Sequence, residues 1–345
     1  MTPKVSIVVP VYNVEKYLNE CLSSLKDQTL KDIEILVIDD GSTDSSLEIA
    51  RRYEKADFRF KVFTKPNAGY GHSMNMGFKN ASGDYIGIVE SDDIASVNMF
   101  QQLWGLATKT NADVVRSNYW TMKGGELTNV INVTDLSGAP YEKSFNPADF
   151  TDILRGSPAI WTGLYKREFI ADNGIDFLET PGASYQDTGF MLKALTLANR
   201  AAITRRAFLH YRIDNENSSV KSGAKVFCVC DEYKSFEELL AKHPTKLDAF
   251  KKIVPAKKWE TYLWNYNRLD IALRDDFLKQ MRKEFKVYED EDRLDKNFFT
   301  DAEWEEVQKL INDKEWKTEQ NFTVVPHKIS SVKKAFVLAT NKLFK

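Results

Sequence analysis

Carboxylates gather where apolar runs of this chain give out. Asp39-Asp40-Gly41-Ser42-Thr43-Asp44 follows Val37-Ile38, and Glu90-Ser91-Asp92-Asp93 follows Ile88-Val89. A carboxylate at the first of these ends can accept a hydrogen bond from a base N–H or a ribose hydroxyl. Tyr12, in Pro10-Val11-Tyr12-Asn13, offers a ring face for base stacking. Adjacent carboxylates such as Asp92 and Asp93 suit a hard divalent cation, which prefers oxygen ligands and bridges one or two carboxylates to substrate phosphates. Either acidic cluster alone commonly does no more than cap a helix. Together they describe a ligand with a base at one end and a pyrophosphate at the other, which is the shape of a nucleotide sugar.

The surrounding pattern supplies a frame for them. Val5 to Val9 is a continuous apolar run, as expected of a strand buried on both faces, and Tyr17, Cys21, Leu22 and Leu25 form one helical stripe after it. The unit repeats: Ile35 to Ile38 precedes a helix with Leu47, Ala50 and Tyr53, and Lys61 to Phe63 forms another strand. Tyr85 to Val89 precedes a helix with Phe100, Leu103 and Leu106, and Ala112 to Arg116 closes the series. The predicted fold class is α/β, a mostly parallel central sheet flanked by helices, with ligands at the carboxyl ends of the strands. Gly124-Gly125 marks a hairpin turn, residues 131 to 147 read as loop, and a helix from Asp187 to Asn199 precedes a strand from Phe208 to Tyr211. Beyond Ala224 helical patterns rich in aromatics dominate, with Trp259, Tyr262, Trp264 and Tyr266 read as packing. The expected domains are residues 1–224, catalytic, and 225–345, helical.

One resemblance is specific. Val5 to Asn13, Val37 to Asp44, Asn67-Ala68-Gly69, Asn75, Gly77, Ala81 to Ile86 and Ser91-Asp92-Asp93, in that order and spacing, resemble the signature of family-2 glycosyltransferases with the GT-A fold. A looser likeness continues through Trp161 to Arg167, Tyr185 to Thr188 and His210-Tyr211-Arg212 to Ser218-Ser219. The resemblance implies inverting transfer of a sugar, hexosyl in type, from a nucleoside diphosphate sugar, by default a UDP-sugar, with Mn2+ or Mg2+ as the divalent metal. It assigns Asp187 as catalytic base; Pro10, Tyr12, Asn13, Asp40, Asn67 and Asp92 to the nucleotide-sugar site; and Asp93 to the metal. Asp187 at a helix start gains from the dipole, although the same position suits a plain helix cap. Trp161 is a candidate acceptor platform or, equally, core. Family members commonly carry Asp at Glu90, Arg at Met74 and Glu at Gln186. His72 reads as surface or packing rather than a donor contact. The implied acceptor is a glycan or lipid-linked hydroxyl in cell-surface polysaccharide or glycoconjugate synthesis.

Composition removes other classes. Lys plus Arg total 48 against 50 acidic residues, a balance unsuited to gripping nucleic acid. Three cysteines, Cys21, Cys228 and Cys230, have no C-x-x-C spacing and fit reduced thiols, and no apolar run approaches the ~20 residues of a membrane span. The expected location is the cytoplasm, at the inner face of the cell membrane if the carboxyl end anchors there. A dinucleotide oxidoreductase would need G-x-G-x-x-G after the first strand, where Pro10-Val11-Tyr12-Asn13 stands, and an aspartyl phosphohydrolase would need its nucleophile at Ile38. A non-catalytic nucleotide-sugar or glycan-binding domain is the alternative, opposed by intact Asp92, Asp93 and Asp187. At the carboxyl end Ile329, Val332, Phe336, Ala339 and Leu343 recur at heptad-like spacing among Lys328, Lys333, Lys334, Lys342 and Lys345. This reads as a basic amphipathic helix suited to an anionic membrane surface.

Overall fold

Strand β1 (Val5–Val11) is buried along its whole length, flanked in parallel by β2 (Ile33–Asp39) and β4 (Tyr85–Ile88). In the computed structural model, residues 2–133, 136, 138–180, 182–215 and 226–312 are described. Strand β3 (Phe60–Thr64) extends the parallel set outward from β2. Helices α1 (Glu15–Lys26), α2 (Ser46–Ala56) and α4 (Met99–Thr110) cover one side, burying Leu18, Cys21, Leu22, Leu25, Ile49, Ala50, Phe100, Leu103 and Leu106 in a single core with the strands. Between β3 and β4 lies α3 (Tyr70–Asn80), whose Gly77 sits so close to β1 that a Cβ there would meet Val8 at 2.3 Å.

Beyond β4 the sheet changes character. The order is β3-β2-β1-β4-β8-β6-β9-β5, with β5 (Ile94–Ala95), β6 (Val114–Lys123), β8 (Gly163–Lys166) and β9 (Ala201–Arg212); β7 (Glu126–Ile131) hangs off β6. Pairs β4–β8, β6–β8, β5–β9 and β6–β7 are antiparallel, and β6–β9 is parallel. The sheet is therefore more mixed than the mostly parallel one expected. A parallel neighbour needs a crossover connection, and β8 instead enters from the short 3-10 turn Ile160–Thr162. Gly124 and Gly125, with φ of 59° and 84°, make the expected hairpin turn between β6 and β7.

Helix α5 (Arg167–Asp172) follows β8, and α6 (Gln186–Leu197) precedes β9. The chain divides into two compact units, Met1–Ile253 and Val254 onward. Helices α7 (Cys228–Leu240) and α8 (Pro244–Phe250) belong to the first because they pack on α6, so that division falls later than the expected 224/225 boundary. The second unit, entered along α9 (Ile253–Arg268), contains α10 (Ile271–Asp290) and α11 (Asp301–Asn312). Its Trp259, Tyr262 and Tyr266 are buried as expected, and Lys258 is satisfied by Tyr288 at 2.9 Å and Glu284 at 2.7 Å; Trp264 is 43% exposed under the Arg268 guanidinium. Ser218-Ser219 and the basic stretch from Lys328 to Lys345 lie outside the described residues.

Helix α7 presses one acidic side chain into α6. A Cβ at Gly189 would lie 1.9 Å from Glu232 Oε2, and Glu232 Oε1 is buried without a partner. Burial, with Asp187 and other carboxylates adding, raises the Glu232 pKa to about 8 from 4.5. The folded state thus holds a proton that the unfolded chain releases, so this stability is complete below pH 4.5 and is lost as pH rises through about 8. Glu232→Gln is expected to flatten the fall in melting temperature between pH 4.5 and 8, and to raise it a few degrees at pH 8. Thermal melts across that range check it, and an unchanged slope would refute it.

Candidate active site

The site begins where β1 stops. Tyr12 is 51% exposed, whereas Asn13 turns into the left-handed region at φ 49° and is used structurally. Its Oδ1 accepts from Thr43 N at 2.8 Å, and its own N–H donates to Ser42 Oγ at 3.1 Å. The two strand-end turns are closed further by Val14 N to Ser46 Oγ (2.9 Å) and Glu15 N to Asp44 Oδ2 (3.0 Å).

Asp40 is nearly enclosed. Its carboxylate accepts from Ala68 N at 2.8 Å and Gly69 N at 2.9 Å and is ion-paired with Lys65, while Asn67 Nδ2 donates to the Asp40 carbonyl at 3.1 Å. Asp40 and Asn67 therefore shape the loop between β3 and α3 in this conformation. Lys65, absent from the expected site, is the cation that pairs with Asp40.

Pro10 has a consequence for the crevice. Val8 accepts from Val89 N, so even-numbered residues of β1 turn their backbone toward β4 and Val11 turns toward Asp40 N. Pro10, facing the β4 side with no N–H, lies beyond the last β1–β4 pair, Val8 with Ile88. The two strands part there, and the crevice opens at the point where the strand order reverses.

The acid turn after β4 occupies that crevice. Asp93 is fully buried at 0% exposure; Oδ1 accepts from Arg212 N at 2.9 Å, and Oδ2 is buried without a partner. Burial and then Asp92 push the Asp93 pKa well above the carboxylate range, and burial raises Glu90 to about 8. Asp92 is half-buried and accepts from Asn215 Nδ2 at 2.8 Å. Arg212, at the end of β9, fixes the turn: Nε donates to the Asp92 carbonyl at 2.9 Å, Nη2 reaches Glu20 at 2.6 Å, and the guanidinium lies over Tyr17. Among the described residues no three His, Cys, Asp or Glu form a closed metal cage. An all-oxygen donor set with one orphaned carboxylate oxygen still fits a divalent cation whose other ligands are phosphates and water.

Asp187 arrives from the other side. Tyr185, at φ 59°, turns the chain into α6, and Asp187 Oδ1 accepts from Thr188 N at 2.7 Å. The Asp187 carboxylate adds to the upward pKa shifts that burial gives Glu90 and Tyr70, and the segment before it is tied to α3 by Tyr70 N–H to Gly182 O at 3.1 Å. Asn75 holds this second side to α3. Its Nδ2 donates to Phe177 O and Glu179 Oε1, both at 2.9 Å, and its Oδ1 accepts from Phe177 N at 2.9 Å. Gly71 permits the approach, since a Cβ there would lie 1.9 Å from Leu178 O. Met74 is buried in packing, and Gln186 is tied to Thr180 Oγ1 at 2.8 Å.

Trp161 lies between the two readings given to it. Its indole stacks on Tyr211 at 5.4 Å and meets Tyr119 edge-on at 6.4 Å, with Nε1 buried and unpartnered. Tyr211 is raised in pKa by burial and then by Asp93 and Asp92, so this aromatic group borders the acid turn. Sequence reasoning missed Tyr119 and Lys65 and the roles of Tyr211, Arg212, Tyr70 and Asn75. The excess of acid at the end of β4 was the signal that a cation such as Arg212 must meet it.

Residues 6–156 match the family described as Glycosyl transferase family 2. An uncharacterized glycosyltransferase of Haemophilus influenzae is 31% identical over 197 residues, 56% of this chain and 72% of that protein. This chain belongs to glycosyl transferase family 2. The uncharacterized glycosyltransferase EpsJ of Bacillus subtilis, also similar, is 34% identical over 63% of this chain, which spans 63% of that relative's length. Family-2 membership agrees with the fold. The crystal structure of S. aureus TarS 1-349 in complex with UDP-GlcNAc matches with a TM-score of 0.53 at 21% identity, covering 78% of this chain and 82% of that one. The mannosyltransferase PcManGT from Pyrobaculum calidifontis, in complex with GDP-Man and Mn2+, matches with a TM-score of 0.54 at 17% identity, over 81% and 75%. The fold is GT-A, as the motifs implied.

Asn75→Ala removes three hydrogen bonds and is expected to lower unfolding free energy by about 2 kcal/mol. It should also speed amide exchange from Phe177 to Asp187. Unchanged protection of that segment would show that Asn75 does not hold it.

Proposed function

We propose that this chain transfers a hexosyl group, with inversion, from a nucleoside diphosphate sugar to a hydroxyl acceptor. The observation that carries the reading is an acid turn at the carboxyl end of β4 with a buried, unpartnered carboxylate oxygen, Asp93 Oδ2, beside Tyr70, whose N–H bonds to Gly182 O on the segment leading to Asp187. Tyr12 stacks on the base. Pro10 and Asn13 shape the mouth beside it, and Asp40 with Asn67 holds the loop that borders it. Asp93 would hold a divalent ion, Mn2+ or Mg2+, which would offset charge on the departing diphosphate, and Asp92 beside it would meet the nucleotide's ribose. Asp187 takes the acceptor proton as the acceptor oxygen bonds to the anomeric carbon. The bond from that carbon to the diphosphate oxygen breaks on the opposite face, and the nucleoside diphosphate leaves with the electron pair. Trp161, with Tyr211 and Tyr119, forms the acceptor side.

Uridine as the base and a glycan or lipid-linked acceptor in cell-surface polysaccharide synthesis follow from the resemblance. Among the described residues no helix is long and apolar enough to cross a membrane. Contact with an anionic membrane is assigned to residues 327–345. Deleting them should abolish sedimentation with anionic liposomes, and retained sedimentation would remove that role.

Titration of UDP, GDP, CDP and dTDP with and without manganese, on wild type, Asp187→Asn and Asp93→Ala, tests the roles. Metal-dependent binding of one nucleotide is expected, weakened in Asp93→Ala and kept in Asp187→Asn. Asp187→Asn should lose transfer by about a hundredfold or more. Absence of binding to any nucleotide would favour a non-catalytic domain.

A further inference from the structure

If the diphosphate is held at Asp92 and Asp93 and the base is Asp187, the transferred sugar lies between them, and whatever side chain spans that interval touches it. Tyr70 spans it. As the first residue of α3 it donates its N–H to Gly182 O at 3.1 Å, the carbonyl that Gln186 Nε2 approaches at 3.3 Å one residue before Asp187. Its ring meets Phe177 edge-on at 6.1 Å, on the segment that Asn75 clamps. At its other end the hydroxyl donates to Glu90 Oε1 at 2.7 Å, two residues before Asp92. Tyr70 therefore joins the two sides of the crevice, by its backbone N–H to Gly182 and by its hydroxyl to Glu90.

The geometry points to Tyr70, acting with Glu90, as the residue that reads a hydroxyl of the transferred sugar and so determines which sugar is accepted. The inference rests on the proposed function. Its chemistry is that of a hydrogen-bonding pair. The phenol proton is given to Glu90 Oε1, which orients the phenol and leaves its oxygen's lone pairs, and no hydrogen bond to the described residues engages Glu90 Oε2. Both oxygens can pair a sugar hydroxyl. A site built to pair a hydroxyl discriminates against an epimer that places it elsewhere, because the buried oxygen is then left unpaired.

The test compares dissociation constants, with manganese, for UDP, UDP-glucose, UDP-galactose, UDP-N-acetylglucosamine, GDP and GDP-mannose. They are measured by calorimetry on wild type, Tyr70→Phe and, as a second lesion of the same bond, Glu90→Asp. The expected result is that wild type separates the sugars. Tyr70→Phe should narrow that separation by about tenfold, with affinity for the free nucleoside diphosphate unchanged. Glu90→Asp, provided it melts like wild type, should narrow the same ratio. Equal loss for every sugar nucleotide, an unaltered ranking, or a wild type that binds a nucleotide without separating its sugars would each overturn the inference while leaving the proposed function standing. A wild type that binds no nucleotide at all would overturn both.

Discussion

The enclosure of the Asp93 carboxyl governs much of the architecture around it. A buried carboxyl with an unpartnered oxygen is costly unless protonated or met by positive charge. The fold brings positive charge from far along the chain. Short β5 pairs Ile94 with His210 and Ala95 with Leu209, which sets the end of β9 against the turn, so that Arg212 reaches Asp93 by its backbone N–H and the Asp92 carbonyl by its guanidinium. The chain pairs β9 in parallel with β6 and antiparallel with β5, and this departure from a simple parallel sheet is what delivers that arginine. One oxygen of Asp93 is still left over, and that remainder gives the crevice its affinity for a cation on the proposed reading.

Helix α3 organises the rest. Packed on β1 through Gly77, it anchors the strand-end half of the crevice, and through Asn75, Gly71 and Tyr70 it holds the segment from Phe177 to Asp187. Pro10 complements it by ending the pairing of β1 with β4, so the acid turn has a gap to face. On the proposed reading a nucleotide ligand would lie across two elements fixed by the same helix, which would limit how far Asp187 strays from the acid turn.

Much of this frame was legible in the sequence because it is local. The apolar runs of β1 and β2, the stripes of α1 and α4 and the Gly-Gly turn follow from period and turn chemistry over a few residues. Carboxylates at strand ends marked the crevice. What stayed hidden depends on pairing over long separations: Arg212 with Asp93, Asn75 with Phe177, and the length of β9, whose apolar start Ala201-Ala202-Ile203 is broken by Thr204, Arg205 and Arg206. The enclosure of Asp40 by Ala68 and Gly69 was equally invisible, since a carboxylate in a strand-end turn looks the same whether it faces a ligand or its own backbone. Placement of α7 and α8 with the first unit likewise turns on their packing against α6 rather than on any change in composition near residue 225.

The most direct measurement on the central claim is the Mn2+ electron paramagnetic resonance spectrum of the protein with UDP carrying 17O in its diphosphate. A protein-dependent spectrum whose lines broaden with 17O, and which reverts to that of Mn–UDP in buffer when Asp92 and Asp93 are both changed to Asn, is the predicted result. A spectrum identical to Mn–UDP in buffer for the unaltered protein would contradict the assignment of the acid turn as the seat of metal and diphosphate.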